Sequence, residues 1–470
     1  MDGYDMDILN VPVTNSRVRQ LTRHVGGLPI KHYYYLFALS GLLGATPVLA
    51  QLVESEMPKN VDSFISDSHL DMALRNQWKY LKENASQPKE VHNAWGQSAT
   101  LNFESGYLWD VIGFDASYSQ VIKLAASDYF STRALLYNDG QGMDKKNAKG
   151  FNKFGQRYLK VKAGDESAGL KAKIGWHELK NFGVLTTSNR LTKNSYLGYS
   201  GSLVYDRLQL DFGWLSDSIN RDSPNKSHFQ TADRRNIANV RTGGLSWKND
   251  KMRLSYGYGE AKDYQRRHAV EMAWQPLENW TLASQVYGSE ALAGYKKMAA
   301  GKKEYDNQAW HYVGEIRWQD PRWLFKFAVA HTNAHKESGV GIYGRHIAKN
   351  SRGRFNALTS AGVDYMRDGE TALALYGQYQ THRTLTSGLQ LNYGQFSYKD
   401  NLVRSGEVSL INVWAPDSAP LKDLSVFINV GYGWHYKNVN ATPTLSDSGK
   451  YMRSPSLSSE IVVDYRFGLF

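Results

Sequence analysis

From Asp67 onward the chain alternates apolar and polar residues in blocks of roughly ten, the length a tilted strand needs to cross a bilayer. This repetition constrains the fold more than any other feature. Leu159, Val161 and Ala163 fall on one face, Lys160 and Lys162 on the other. After a turn from Gly164 to Gly169 the pattern repeats, with Leu170, Ala172 and Ile174 opposite Lys171 and Lys173. Leu208, Leu210, Phe212 and Trp214 alternate with Gln209, Asp211 and Gly213, and Met252, Leu254, Tyr256 and Tyr258 with Arg253, Ser255, Gly257 and Gly259. In a soluble sandwich the apolar side would meet a shared core; in a membrane barrel it meets lipid while the polar side lines a lumen. The mean hydropathy of −0.52 is compatible with a barrel, whose two faces average out, and excludes a multi-span helical membrane protein. With no Cys, a disulfide framework and cysteine-ligated zinc are excluded too. The 41 Gly and 30 Tyr argue against a mostly helical chain.

The N-terminal region places the chain outside the cytoplasm. Lys31 and His32 precede an apolar stretch from Tyr33 to Ala45, then Pro47, Val48, Leu49 and Ala50. A basic flank, a short apolar core and small residues at a cleavage point make a signal peptide, so residues 1–50 are expected to be removed after Ala50. A membrane anchor needs about 20 apolar residues. Met1 to Ile30 is a long front end, and the natural start codon is expected downstream of Met1. The leader takes four basic and three acidic residues from the net +11, leaving +10. A short N-terminal periplasmic segment, 51–66, should precede a barrel over 67–470.

The connections support a barrel. Short turns such as Asp206–Arg207, Lys248 to Lys251, Gln275 to Asn279, Asp320 to Arg322 and Arg367 to Glu370 interleave with long polar loops. The loops run from Ala125 to Gly155, Ser216 to Arg235, Ser289 to Asn307, Asn333 to Phe355 and His382 to Arg404. Trp247, Trp274, Trp280, Trp318 and Trp323 flank the short turns, where rings with one apolar and one hydrogen-bonding end suit a membrane interface. Eighteen strands are expected, including 355–366 and 371–381, an even number as single-chain bacterial barrels require. The chain closes on an alternating segment, Ile461 to Phe467, and ends at Phe470.

Several short motifs are similar to those of the OprD family of substrate-specific outer-membrane porins. They are Phe64-Ile65-Ser66-Asp67-Ser68 with Leu70, Asp71, Leu74, Arg75 and Asn76; Phe103-Glu104-Ser105-Gly106-Tyr107; and Ile112-Gly113-Phe114-Asp115. Tyr137-Asn138-Asp139-Gly140 falls where that family's third external loop carries Asn-Asp-Gly, and Ser188-Asn189-Arg190-Leu191 resembles a loop motif ending in Arg-Leu. Leu421 to Ser425, Trp434-His435 and Ile461 to Tyr465 resemble the penultimate and last strands. The resemblance implies a monomeric eighteen-stranded barrel, a third loop folded inward, and a ladder of basic side chains that draws carboxylate solutes. The chain departs from it at Thr192-Lys193, where the family has a Pro, and at Phe427 and Asn429, where the best-known member's ladder has arginines. The basic ladder is therefore incomplete.

Parity places Lys160, Lys162, Lys171, Lys173, Arg253 and Arg317 on the lumen side, with Arg190 in the loop motif. Confined positive charge raises local anion concentration, so these seven are the expected track for anionic solutes. The competing reading is that they pair with lumen carboxylates such as Asp115, Asp211 and Glu315. Asp139, Asp144 and Lys145, in the loop from Ala125 to Gly155 with Asp128 and Arg133, are the expected constriction charges; a charged surface loop is the alternative. No His-Glu-x-x-His, phosphate-binding or Gly-x-Ser-x-Gly motif occurs, so no catalytic residue, metal or cofactor is expected. Basic residues are spread over the strands, which disfavours nucleic-acid binding. The expected protein is a monomeric all-β porin in the outer membrane of a Gram-negative bacterium, in contact with lipopolysaccharide and placed by the barrel assembly machinery. It should pass small hydrophilic solutes, above all amino acids and organic acids. A chitooligosaccharide or sugar porin of the same family and a non-conducting barrel adhesin are the alternatives.

Overall fold

A computed structural model of the chain describes residues 59–83, 91–128, 134–140, 145–359, 362–439 and 441–470. The leader lies outside these residues, as do Arg133 and Asp144. A helix, α1 (Lys59–Ser66), leads into eighteen wall strands. These are β1 (His69–Glu83), β2 (Val91–Glu104), β3 (Ile112–Ala126), β4 (Phe151–Gly164), β5 (Ala168–His177) and β6 (Ser195–Tyr205); then β7 (Leu208–Ile219), β8 (Val240–Lys248), β9 (Met252–Ala261), β10 (Gln265–Leu277), β11 (Trp280–Ala291) and β12 (Gln308–Gln319); and finally β13 (Trp323–Asn333), β14 (Thr371–His382), β15 (Leu385–Tyr398), β16 (Asn401–Trp414), β17 (Leu424–Tyr436) and β18 (Arg453–Gly468). Each pairs antiparallel with its chain neighbours, and β18 pairs back to β1 from Asp71↔Gly468 to Glu83↔Ser456. Closure leaves no free edge, so every wall strand finds partners inside the bilayer, where water cannot supply them.

The alternation sorts onto the two faces as parity requires. Leu208, Leu210 and Phe212 are exposed on the outside, and the adjoining Gln209 and Asp211 point inward, where both bond within the wall. Trp280 pairs with Trp318 and Trp323 with Tyr379 in an outward belt at the short-turn end. At the C-terminus the lipid-side positions run Ile461, Val463, Tyr465, Phe467 and Leu469; the Leu469 amide donates to Leu70 O and the Leu70 amide to Phe470 O. α1 is tied beneath the first short turn by the Gly106 amide donating to Phe64 O at 3.1 Å.

Two strand assignments differ from the sequence reading. Among the described residues of 355–366 there is no strand: Phe355, Ala357, Leu358 and Tyr365 are buried inside the barrel as part of the connection from β13 to β14. Leu385–Tyr398, read as part of a loop from His382 to Arg404, is β15. Its outward Leu389 and Leu391 alternate with the inward Gln390 and Asn392. The segment 355–366 is apolar because it packs on the inner wall; β15 is disguised by Gly388, Gly394 and many polar residues. The two errors cancel in the count. Arg367 to Glu370 is accordingly the last turn of an external loop, with the Glu370 amide donating to Arg367 O.

Connections opposite the short turns are external. They are uneven: 262–264 and 399–400 are tight, and 334–370 is the longest. Counting external connections from 84–90, residues 127–150 form loop 2, 178–194 loop 3, 292–307 loop 6 and 334–370 loop 7. The largest apolar cluster lies inside the barrel, where Val184 and Leu185 of loop 3 and Tyr343, Phe355 and Leu358 of loop 7 pack on Tyr196, Tyr287, Ala328 and Ala374 of the wall.

Candidate pore and its constriction

Two loops, 3 and 7, fold inward and are hydrogen-bonded to each other. The Thr186 amide donates to Arg352 O and the Arg354 amide to Val184 O, both at 2.9 Å. Loop 3 turns at Gly183, with φ +56° and flanked by reciprocal backbone bonds between Phe182 and Leu185. A Cβ at Gly183 would sit 2.1 Å from Thr242 Oγ1, and one at Gly257 2.3 Å from Gly183 O, so only glycine lets the loop lie this close to β8 and β9. From there loop 3 reaches the far wall. Ser98 Oγ on β2 donates to Leu191 O at 2.7 Å, and the Arg190 guanidinium approaches Glu460 on β18 at 4.0 Å. Lys153 on β4 holds the return, with Nζ donating to Lys193 O at 2.8 Å and Asn220 O at 2.7 Å.

Loop 7 is anchored at two wall carboxylates. Glu271 on β10 accepts from Arg354 and, at 2.8 Å, from Asn356 Nδ2 and Tyr287 Oη. Glu407 on β16 accepts from the Gly362 and Val363 amides at 3.1 and 3.3 Å. Between Glu407 and Arg190 the passage is bounded by the seam of β1 and β18. Lys79 faces Glu460 and Arg75 faces Asp464 as direct cross-strand partners, at 3.9 and 3.3 Å. Gln77 Nε2 donates to Glu460 at 2.6 Å, and Arg466 pairs with Asp71 at the periplasmic mouth. Lys79 and Glu460 line a cavity of about 50 Å³ on the external side, with Gly362, Val363 and Glu407; Arg75 and Asp464 line one of about 250 Å³ on the periplasmic side, with Thr100, Asn102 and Ser117. The seam charges thus line both spaces.

Of the residues singled out in the sequence, Arg190 is at this constriction, 1% exposed. Lys160↔Lys173 and Lys162↔Lys171 are cross-strand partners, so the four lysines share one patch. The patch lies near the 165–167 turn at the periplasmic mouth, away from the seam. Two of its members already have carboxylates: Lys160 with Asp115 at 2.7 Å and Lys162 with Asp110 at 2.5 Å, both above the Tyr107 ring. Arg253 and Arg317 line a separate cavity beneath loop 7, and Arg317 pairs with Glu315 at 3.2 Å. Asp139 and Lys145 do not meet any of these groups. They are exposed on loop 2, whose Leu135 and Leu136 bury against Val121, Phe151 and Leu191 and hold it at the external rim. The constriction is formed by loops 3 and 7, and the loop carrying Asp139 is second in chain order. Sequence reasoning missed Lys79, Gln77, Glu460, Asp464, Glu271 and Arg354. The two-residue spacing of Arg75, Gln77 and Lys79 was the available signal; their partners on β18 become visible only when the barrel closes.

A family model described as outer membrane porin, OprD family, matches residues 62–395. A search of curated proteins returns no match. Among solved structures the chain is similar to Acinetobacter baumannii OccAB3 at 17% identity and TM-score 0.68, over 86% of this chain and 100% of that one. It is similar to Pseudomonas aeruginosa OpdK with vanillate at 16% and 0.67, over 86% and 100%. It is also similar to Pseudomonas aeruginosa OccK3 at 15% and 0.65, over 87% and 98%. The closed eighteen-strand wall, the inward loops and the family match over most of the chain agree: this protein is an outer-membrane porin and belongs to the OprD family.

Proposed function

We propose that the chain passes small hydrophilic solutes bearing a carboxylate, amino acids and organic acids above all, by passive diffusion past the β1–β18 seam. The observation that carries this reading is the set of Arg75, Lys79 and Arg190 around Glu460 and Asp464. Each cation there is held by a protein carboxylate. A passing carboxylate can exchange for that partner one contact at a time, and a solute ammonium can take the released carboxylate. Such exchange lowers the dehydration cost of a charged solute in a narrow space without trapping it. The lysines of β4 and β5 serve as a collecting surface at the periplasmic mouth, with no carboxylate among the described residues within ion-pairing distance of Lys171 or Lys173. Because β18 closes on β1, one chain suffices for a pore, and the protein acts as a monomer after placement by the barrel assembly machinery.

Single-channel recording tests the reading, with glutamate, succinate, benzoate and chitobiose as blockers. Carboxylates should interrupt the current at lower concentration than the neutral sugar. A stronger block by chitobiose would favour a sugar porin. One observation supports that second reading: Ser98, Thr100, Asn102, Ser117 and Ser119 line the periplasmic cavity, with Thr100 Oγ1 and Ser119 Oγ at 2.9 Å. The absence of any conductance would sink both.

A further inference from the structure

We propose that the cavity beneath loop 7 is a retention site for a small dianion, a dicarboxylate or a phosphate, distinct from the passage along the β1–β18 seam. Its volume is about 240 Å³, and none of its lining residues borders either cavity at the seam. Four cations surround it, Arg253, Arg317, Lys326 and Arg354, against two carboxylates, Glu271 and Glu315. Arg354 is taken by Glu271 and Arg317 by Glu315. Among the described residues no carboxylate lies within ion-pairing distance of Lys326 or Arg253, so the lining carries four cations against two carboxylates.

The strand register sharpens the imbalance. Arg317 and Lys326 are direct cross-strand partners, and both point into the cavity. Like charges directly opposite each other destabilise a strand pair, more so where water is scarce, and Lys326 is only 7% exposed. The face of the Tyr376 ring lies 5.7 Å from its Nζ, and Glu315, already paired with Arg317, acts on it only from beyond ion-pairing distance. Arg317 Nε, Arg354 Nε and Gln285 Oε1 are buried here without a hydrogen-bond partner. Two further donors and an excess of two charges define what fits: a compact solute with two negative charges and several acceptor oxygens.

The wall leaves room for it. Around the barrel at this height the inward residues run Arg253, Ala273, Ala283 and Glu315, so two alanines make a shallow floor between the charged side chains. Arg354 and Asn356 of loop 7 form the roof. An occupant held by Arg317 and Lys326 from the wall and by Arg354 from the loop would tie loop 7 down, adding to the Glu271 contact. The site holds its ligand where the seam lets one pass, because Lys326 has no protein carboxylate within ion-pairing distance to return to, whereas Arg317 and Arg354 keep Glu315 and Glu271.

The test is isothermal titration of the purified barrel in detergent micelles with inorganic phosphate and with succinate, at fixed ionic strength set with chloride. The wild-type protein should bind one equivalent of at least one of them and melt at higher temperature in its presence. Lys326→Gln should weaken binding at least about tenfold, the effect of losing one charge-assisted contact. In buffer without dianion it should melt no lower than the wild type, because it removes the like-charge pair. Arg317→Gln should weaken binding likewise and serves if Lys326→Gln does not fold. Phosphate alone, or succinate alone, identifies which dianion the pocket takes. Binding of neither probe, or equal affinity in both variants, overturns the proposal. Binding without conductance would overturn the passage reading and leave this one standing.

Discussion

Two sets of inward charges cross the wall of this barrel, and they differ in which residues the strand register sets opposite each other. At the seam, Arg75 and Lys79 of β1 meet Asp464 and Glu460 of β18. Beneath loop 7, Arg317 of β12 meets Lys326 of β13. The residue types are nearly the same, yet at the seam each of these cations stands opposite a carboxylate, and beneath loop 7 a cation stands opposite a cation. Buried charge is stable only when paired and hydrogen-bonded. At the seam the protein supplies the pair, so a solute can only compete for it. Beneath loop 7 Lys326 has no such partner among the described residues, and on the proposal above a solute supplies it.

Removing one partner should therefore have opposite consequences in the two regions. The largest effect is expected at Glu460→Ala, which leaves Lys79, Gln77 and Arg190 without their shared carboxylate. A loss of up to about 3–5 kcal/mol, the range for breaking a buried ion pair, is readable as a lower urea midpoint for unfolding in micelles. A midpoint within error of the wild type would show that the seam network is not a unit. Next in size is Arg354→Ala, which removes the ion pair of loop 7 with Glu271 and its bond to Ser255, leaving Asn356 as the loop's remaining donor to Glu271. Cleavage of loop 7 by added protease should become detectable and single-channel conductance should rise. Unchanged protection would mean that Asn356, the Glu407 anchor and the backbone bonds to loop 3 hold the loop without Arg354.

A smaller, pH-dependent effect is expected at the external rim. Glu304 of loop 6 is half-buried, and desolvation raises its carboxyl above the ordinary 4.5 despite the opposing pull of Arg267 and Lys336. The folded protein therefore favours the protonated acid. Its contribution to stability is fully present below the ordinary value and is lost as pH rises through the raised one. Backbone hydrogen exchange around 341–344, where the Ile342 amide donates to Glu304 O, should speed up beyond its intrinsic pH dependence as pH rises. Glu304→Gln should flatten that excess. The smallest effect is expected for Lys171→Gln with Lys173→Gln, a modest reduction of anion preference at the periplasmic mouth, measurable as a shift of zero-current potential across a salt gradient.

The wall was legible in the sequence because two-residue alternation is a local property, set by which face each side chain takes. The lysine patch was legible for the same reason: β4 and β5 form one hairpin, so Lys160, Lys162, Lys171 and Lys173 could be placed on one face from spacing alone. The constriction was not. Glu460 meets Lys79 across the closure of the whole chain, and Glu271 meets Arg354 through a loop that crosses the lumen. Residues 355–366 looked like a strand because apolar side chains packed on an inner wall and apolar side chains facing lipid read alike. Loop 2 drew attention through its charges, but Leu135 and Leu136 decide where it sits.

The central claim is that the seam charges, rather than the lysine patch, select the solute. The most direct measurement is the zero-current potential of single channels in a potassium glutamate gradient, compared among the wild type, Lys79→Gln with Arg190→Gln, and Lys171→Gln with Lys173→Gln. The seam variant should lose glutamate preference while the lysine-patch variant keeps most of it. Loss of preference in the lysine-patch variant alone would contradict this account.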